Sequence, residues 1–204
     1  MPADLADILE RAQTLGLLGP GPVANQLRHA DALAGLIAPA SRFLDLGSGA
    51  GLPGLVLALR WPEATVALLD ANRRRADHLR WACHELGLHD RAEVVEARAE
   101  EAARDPRWRG RFSLVTARAF APPAVTAECA VGFLAAGGRL VVSEPPGGSP
   151  VRWDPDGLGA LGLTGPEILV AGEATAAVLR APALADPRWP RRTGVPDRRP
   201  LWPS

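Results

Sequence analysis

The feature that most constrains the fold of this chain is a glycine-rich turn between a short apolar run and a helix-like segment. The apolar run covers residues 42–46, and the turn DLGSGAG covers residues 45–51. Glycines there let the backbone bend tightly and approach a ligand, while the N–H groups of the next helix face that ligand. A dinucleotide fingerprint, G-x-G-x-x-G, needs glycine at position 52, where this chain has Leu52. The turn therefore predicts a strand–turn–helix ligand site that is not a pyrophosphate site.

Strand-like and helix-like segments alternate through the middle of the chain. The expected strands are 42–46, 65–69, 93–97, 112–117 and 138–143, and the expected helices are 53–61, 73–86, 99–104 and 123–133. This alternation predicts an α/β fold with a mostly parallel, Rossmann-like sheet covered by helices on both faces. Two apolar runs, 167–171 and 174–180, are expected to add a terminal antiparallel hairpin. Residues 144–165, rich in Pro and Gly, are expected to replace a helix.

A single domain over residues 1–204 is expected, with amino-terminal helices over 1–40, a core over 41–181 and an irregular Pro/Arg-rich tail over 182–204. The net charge of zero argues against a wholly basic nucleic-acid surface but allows a local basic patch. Two distant cysteines and the lack of a long apolar run predict a soluble, unprocessed, cytoplasmic protein. We expect no metal, because His78, Cys83, His84 and His89 point to different sides of a helix.

Acidic residues at strand ends narrow the choice of ligand. Asp45 is expected to meet a cationic amino group of a methionine moiety, and Asp70, at the end of the next strand, is expected to accept hydrogen bonds from ribose hydroxyls. This acid-plus-glycine arrangement resembles motif I of class I methyltransferases, and the resemblance implies S-adenosyl-L-methionine as cofactor. The residues of the motif expected to bind it are Asp45, Gly47, Ser48, Gly49, Gly51 and Leu52.

The segment Arg98-Ala99-Glu100 follows the third expected strand and is predicted to lie over the adenine of that cofactor. In folds of this kind a backbone amide and an acidic side chain of this loop commonly hold the base, which nominates Ala99 and Glu100. An acid at the start of a helix also interacts favourably with the helix dipole. Position alone leaves both interpretations of Glu100 open.

The end of the fourth strand is expected to lie beside the transferred methyl group. It carries Arg118. Enzymes that methylate amino groups typically have Asn or Asp before a Pro-Pro pair here, but this chain has Ala121 at that position. We predict that Arg118 and Arg98 serve catalysis and that Arg118 also contacts the cofactor, since an arginine suits a phosphate or a guanine edge. The alternative for Arg118 is a structural arginine whose head reaches solvent.

Further arginines are expected to bind the substrate. They are Arg74 and Arg75 after Asp70, and Arg191 and Arg192 in the tail. Trp189 and Trp202 lie among the tail arginines, a mixture suited to stacking on unpaired bases. A solvated helix face is the alternative for the first pair. Because the tail lies beyond the expected sheet, we expect it to leave cofactor affinity unchanged.

Taken together, these segments resemble the RsmG (GidB) family of small-subunit ribosomal RNA methyltransferases, whose members methylate a guanine at N7 in 16S rRNA. The resemblance rests on the His29-containing helix, the Leu-Pro-Gly ending of the glycine turn, the Arg98-Ala99-Glu100 loop, residues 116–121 and the tail at 189–196. It implies a partner, 16S rRNA, and a reaction that needs no general base, because guanine N7 carries a free lone pair.

Two positions depart from the family pattern. Family members usually have Lys-Gly after the fifth strand, where this chain has Glu144-Pro145, and a basic residue where Ala174 stands. These departures leave two alternatives open. One is a divergent relative that methylates another substrate, such as a small molecule; the other is a non-catalytic module that binds S-adenosylmethionine.

Overall fold

The strands of this chain form one seven-stranded sheet. The computed structural model describes residues 4–203. The strands are β1 (Arg42–Leu46), β2 (Thr65–Asp70), β3 (Ala92–Glu96), β4 (Phe112–Arg118), β5 (Leu134–Glu144), β6 (Thr164–Ala171) and β7 (Ala174–Ala181). The helices are α1 (Leu5–Thr14), α2 (Val23–Gly35), α3 (Gly54–Arg60), α4 (Arg73–Glu85), α5 (Ala99–Ala102), α6 (Pro123–Val131), α7 (Pro155–Leu161) and α8 (Val195–Arg198), with a 3-10 turn at Pro150–Arg152.

The strand order is β3-β2-β1-β4-β5-β7-β6. Strands β1 to β5 run parallel, and β7 runs antiparallel to both β5 and β6. The predicted α/β fold with a terminal antiparallel hairpin is therefore confirmed. The hairpin is added so that its second strand, β7, lies inside the sheet and β6 forms the edge.

Parallel register determines where the connecting loops meet. Leu46 at the end of β1 is in register with Leu69 of β2 and with Ala117 of β4. Alternate residues of β1 face opposite sides of the sheet, so Phe43 and Leu44 belong to different apolar clusters. Both faces of β1 are thus buried, which explains why its buried positions are apolar apart from Asp45. The loops after β1, β2 and β4 all emerge at the same edge of the sheet.

The expectation that residues 144–165 lack a helix is wrong. Helix α7 begins after Asp154, whose Oδ2 accepts the Gly157 N–H at 2.7 Å, and it ends at Gly162 in the left-handed conformation. Pro155 occupies the first turn, where its missing N–H has no cost. The apolar side of this short helix buries Leu158 and Leu161. A helix of seven residues is too short for its periodicity to stand out in the sequence.

The tail contains little regular structure, but it packs tightly on the helices beside the sheet. Trp189 and Trp202 are buried, and their indole N–H groups donate to Ala160 O at 2.9 Å and Arg152 O at 3.1 Å. The expectation that these tryptophans stack on RNA bases is therefore wrong. Arg191 donates through its backbone N and its Nε to Oε1 of Glu128, which lies in α6 and is fully buried.

Within residues 4–203, no helix is long and apolar enough to cross a membrane.

The Arg191–Glu128 ion pair should determine whether the tail stays docked. We expect Arg191→Ala to lower the free energy of unfolding by about 3–5 kcal/mol, because it leaves a buried carboxylate without its counter-charge. Urea denaturation of the purified chain measures this difference. Arg188→Ala is the matched control: its guanidinium is exposed and lies 3.8 Å from Asp186, so its loss should cost less than about 1 kcal/mol. Equal losses for the two variants would contradict the anchoring role of Arg191.

Candidate functional site

Two adjoining cavities open at the carboxyl edge of the sheet. The first, of about 420 Å³, contains three carboxylate residues, Asp70, Glu100 and Asp197, and we call it the carboxylate cavity. The second, of about 310 Å³, contains Arg118 and Arg152, and we call it the arginine cavity. Residues 119–121 line both cavities. Ligands of open parallel α/β sheets bind at this edge.

The glycine turn forms one wall of the carboxylate cavity. Gly47 has a φ of +69°, and a Cβ there would come within 2.5 Å of Cδ2 of Phe120. The turn is tied to β2 by two hydrogen bonds: Ser48 N donates to Leu69 O at 2.9 Å and Gly49 N to Asp70 Oδ2 at 2.9 Å. Only glycine can adopt this positive φ without strain and also leave room for the ring of Phe120.

Asp45 is buried and lines neither cavity. Its carboxylate lies beneath the turn, where Oδ1 accepts from Thr116 Oγ1 at 2.8 Å and Oδ2 accepts from Gly54 N at 3.2 Å. Burial raises the pKa of Asp45 to about 6, although the hydrogen bonds from Thr116 and Gly54 oppose the shift. Each oxygen accepts a hydrogen bond inside the protein, which gives Asp45 a structural role. Its expected contact with a ligand amino group stays a prediction.

The carboxylate cavity brings together residues from four loops. The Asp70 carboxylate accepts the N–H groups of Gly49 and Asn72, and Arg75 Nη1 lies 3.7 Å from it. Glu100 accepts the Gly194 N–H from the tail at 2.8 Å. Burial opposes ionisation of Glu100, but the backbone N–H of Gly194, its own N–H and the nearby Arg98 hold its pKa below the ordinary value.

The arginine cavity presents a guanidinium with a free hydrogen-bond donor. Arg118 Nη2 donates to Gln26 Oε1 of α2, whereas Nη1 is buried and has no acceptor within the described residues. Burial lowers the pKa of Arg118, although the carboxylate of Asp45 opposes the shift. The next residue, Ala119, has a φ of +51°, which is strained for a residue with a Cβ. An unsatisfied donor beside strained backbone is typical of a ligand-binding position.

Glu144 has a partner that the sequence did not reveal. Its side chain is 2% exposed and accepts a hydrogen bond from Arg152 Nη1 in the 3-10 turn. The Arg152 side chain remains 39% exposed and lines the arginine cavity. The negative charge that replaces the family's lysine is therefore neutralised, and a cation stands at the cavity mouth.

The structure separates the predicted site residues into groups. Gly47, Asp70, Arg75, Arg98, Ala99 and Glu100 line the carboxylate cavity, and Arg118 lines the arginine cavity. Ser48 and Leu52 are buried behind the turn with Asp45, and Gly49 and Gly51 hold the shape of the turn. Arg74 donates to Leu15 O, Arg191 is bound to Glu128, and Arg192 is exposed in the tail. The predictions for these residues as ligand contacts stay predictions.

The residues that sequence reasoning missed come from distant segments. Gln26, His29 and Arg152 surround Arg118, and Cys129 and Asp197 reach the carboxylate cavity from α6 and the tail. Burial and the nearby Arg118 lower the pKa of His29, which disfavours protonation of its ring. Of these residues, only His29 could have been found from the sequence, because it belongs to a helix that resembles the corresponding helix of the RsmG (GidB) family.

The fold with its two cavities is that of a class I methyltransferase. Solved structures with this fold include a predicted O-methyltransferase from Agrobacterium tumefaciens, with a TM-score of 0.56, 25% identity and coverage of 74% of this chain and 79% of that one. Another is the T. thermophilus 16S rRNA methyltransferase RsmC, with a TM-score of 0.54, 24% identity and coverage of 78% and 40%.

Within that class, the chain belongs to the GidB family, described as rRNA small subunit methyltransferase G, which it matches over residues 23–144. The ribosomal RNA small subunit methyltransferase G of Rubrobacter xylanophilus is 37% identical over 174 residues, which are 79% of this chain and 66% of that protein. The corresponding protein of Desulfitobacterium hafniense is 35% identical, over 86% of this chain and 77% of its own length. Against the Prochlorococcus marinus relative the chain spans 46% of the length.

The raised pKa of Asp45 should make stability depend on pH. The folded protein keeps the Asp45 proton up to about pH 6, whereas the unfolded chain releases it near 3.8. The folded state therefore binds more protons in this window, and its stability falls as pH rises through it. We expect Asp45→Asn to gain stability relative to the wild type between about pH 4 and about pH 7.

Urea unfolding at both pH values measures this difference. Asp90→Asn is the control, because the Asp90 side chain is 92% exposed. A difference between wild type and Asp45→Asn that does not change with pH would contradict the buried-carboxylate account.

Proposed function

We propose that this chain uses S-adenosyl-L-methionine to methylate N7 of a guanine in 16S ribosomal RNA. The observation that carries the proposal is the wall that the two cavities share at residues 119–121, next to the free donor of Arg118. Membership of the rRNA small subunit methyltransferase G family supports both the cofactor and the substrate. A ribosomal substrate also supports a cytoplasmic location.

The residues of the carboxylate cavity fit this cofactor. A carboxylate at the end of β2 matches the two ribose hydroxyls, and the Ala99 amide with the acidic residues beside it matches the acceptor and donor edge of adenine. The volume of about 420 Å³ is within the range of small-molecule sites. When bound, the cofactor supplies an electrophilic methyl group.

The arginine cavity suits a guanine presented by its N7 edge. Guanine carries two acceptors, O6 and N7, side by side, and O6 matches the free Nη1 donor of Arg118. The bond from Gln26 limits the rotation of the guanidinium, which positions it in advance. Because guanine N7 has no proton to lose, methyl transfer to it needs no general base. His29, whose pKa is lowered, therefore has no proton-transfer role in this reaction. The residues thus act by positioning and by excluding water.

Exposed arginines around the cavities supply contacts for the RNA backbone. Arg152 stands at the mouth of the arginine cavity, and the side chains of Arg98 and Arg75 are 54% and 45% exposed beside the carboxylate cavity. Each guanidinium that neutralises a phosphate releases a counterion, so RNA binding must weaken with salt. Mass spectrometry of 16S rRNA nucleosides from cells with and without the gene tests the function directly: loss of 7-methylguanosine is expected.

The Asp70 carboxylate should contribute strongly to cofactor affinity. We expect Asp70→Ala to weaken the binding of S-adenosylhomocysteine by about 1–3 kcal/mol, the loss typical of a hydrogen bond to a charged group. Isothermal titration calorimetry measures the affinity. Asp77→Ala, on the exposed face of the neighbouring α4, is the matched control and should bind as the wild type does. Equal affinity of Asp70→Ala and wild type would remove Asp70 from the site.

Arg118 and Arg152 should affect different steps. We expect Arg118→Ala to reduce methyl transfer to 16S rRNA more than RNA affinity, because Arg118 lines the arginine cavity next to residues 119–121, the wall shared with the carboxylate cavity. Arg152→Gln, which keeps a hydrogen-bond donor for the buried Glu144, should instead reduce RNA affinity and lower the slope of log affinity against log salt by about 1. Filter binding at several salt concentrations and single-turnover transfer assays separate the two effects.

Arg73→Ala is the control for both measurements, because this guanidinium is 84% exposed on α4. RNA binding that does not respond to salt, or transfer to a small molecule alone, would replace the RNA proposal with that of a divergent enzyme.

A further inference from the structure

The carboxyl-terminal tail contributes an acidic residue to the carboxylate cavity. Asp197 lies in the one-turn helix α8 and lines the cavity together with Ala99, Glu100 and Cys129. The sequence distance between α5 and α8 gave no reason to connect them. This position argues against the expectation that the tail leaves cofactor affinity unchanged, because that expectation rested only on the tail lying beyond the sheet.

Several contacts hold α8 at the cavity. The N–H of Gly194, just before the helix, donates to Glu100 Oε1 at 2.8 Å, and Thr193 Oγ1 contacts Glu101 Oε1 at 3.1 Å. Further along, Arg191 is bound to the buried Glu128. Arg104 Nη2 donates to Pro190 O at 2.6 Å. The tail is thus attached to both α5 and α6, the two helices that border the cavity.

The carboxylate of Asp197 lies close enough to act on groups inside the cavity. Cys129 is buried in the cavity wall, and burial together with the negative charges of Glu100, Glu128 and Asp197 raises the pKa of its thiol. Glu100 already accepts bonds from Gly194 and Arg98, whereas the Asp197 side chain is exposed at the cavity. Asp197 is therefore the carboxylate here that is most accessible to a new donor.

The position of Asp197 in the cavity indicates which part of a ligand it would meet. Asp70, at the end of β2, marks the end of the cavity that suits ribose hydroxyls. Ala99 and Glu100 belong to α5, where the base is expected, and the tail that carries Asp197 joins them there through the hydrogen bond from Gly194 N–H to Glu100 Oε1. On its pairing edge adenine offers one hydrogen-bond donor, the exocyclic amino group. A carboxylate can only accept hydrogen bonds, so this amino group is the part of the base that Asp197 can bind.

We propose that Asp197 accepts a hydrogen bond from the exocyclic amino group of the cofactor's adenine, so that the docked tail completes the adenine site. The inference rests on the proposed use of S-adenosylmethionine. It makes Asp197 a residue that distinguishes adenine from hypoxanthine, in which a carbonyl oxygen replaces the amino group. A carboxylate repels that oxygen, whereas an asparagine amide can donate to it.

Calorimetry with two ligands tests the proposal on the full chain: S-adenosylhomocysteine and its deaminated form, S-inosylhomocysteine. The wild type should prefer the adenine ligand. Asp197→Asn should lose roughly ten-fold or more of that preference, because its amide can also donate to the hypoxanthine oxygen. Asp186→Asn is the matched control: this tail carboxylate accepts the Arg188 N–H at 2.8 Å and lies outside the cavity, so its preference should stay that of the wild type.

The outcomes separate the inference from the proposed function. An unchanged preference in Asp197→Asn, with the wild type still binding S-adenosylhomocysteine, overturns the role of Asp197 alone. A loss of affinity that is equal for both ligands assigns Asp197 a structural role and also overturns the inference. No binding of S-adenosylhomocysteine by the wild type overturns the proposed cofactor, and the inference with it. Asp197→Ala removes the acceptor, and with it the repulsion of the hypoxanthine oxygen, without adding a donor, so it should weaken the adenine ligand and strengthen the hypoxanthine ligand.

Discussion

The buried carboxylate of Asp45 joins the elements that shape both cavities. Through Gly54 it fixes the start of α3, and through Thr116 it fixes β4 two residues before Arg118. The glycine turn can approach Phe120 closely because it rests on this carboxylate and on Asp70. Burial away from water destabilises the charged form of a carboxyl group, and for this reason the pKa of Asp45 is raised. The walls of both cavities therefore depend on a group that touches neither of them.

Other buried acids attach distant segments of the chain in the same way. Glu128 binds the tail through Arg191, and Glu144 binds the 3-10 turn through Arg152. Glu100 binds the tail a second time, through Gly194. Each of these carboxylates lies near one of the cavities, and each partner belongs to the part of the chain that follows the parallel strands. The carboxyl-terminal third of the sequence therefore builds the site as well as the edge of the sheet.

This arrangement gives the charge reversal at Glu144 a physical meaning. The family's lysine at this position would itself supply a cation, whereas here the acid holds Arg152 in place, with its guanidinium exposed at the arginine cavity. The ion pair of Arg152 and Glu144 has no net charge, so the pair does not replace the positive charge of a lysine. What it provides is a partly exposed guanidinium held at the arginine cavity.

The sequence by itself determined which segments form the parallel strands and where the glycine turn lies. It also determined that Asp70, Glu100 and Arg118 lie at or just after the ends of strands. These features follow from local patterns: apolar periodicity, glycine where φ is positive, and the rule that parallel strands share one carboxyl edge. Only the tertiary structure decided that Asp45 faces inward, that Trp189 and Trp202 are buried, and that Asp197 reaches the cavity. These features depend on contacts between residues that are far apart in sequence. A single sequence contains no periodic signal for such contacts, because an acid or a tryptophan is the same residue whether it faces water or a distant partner.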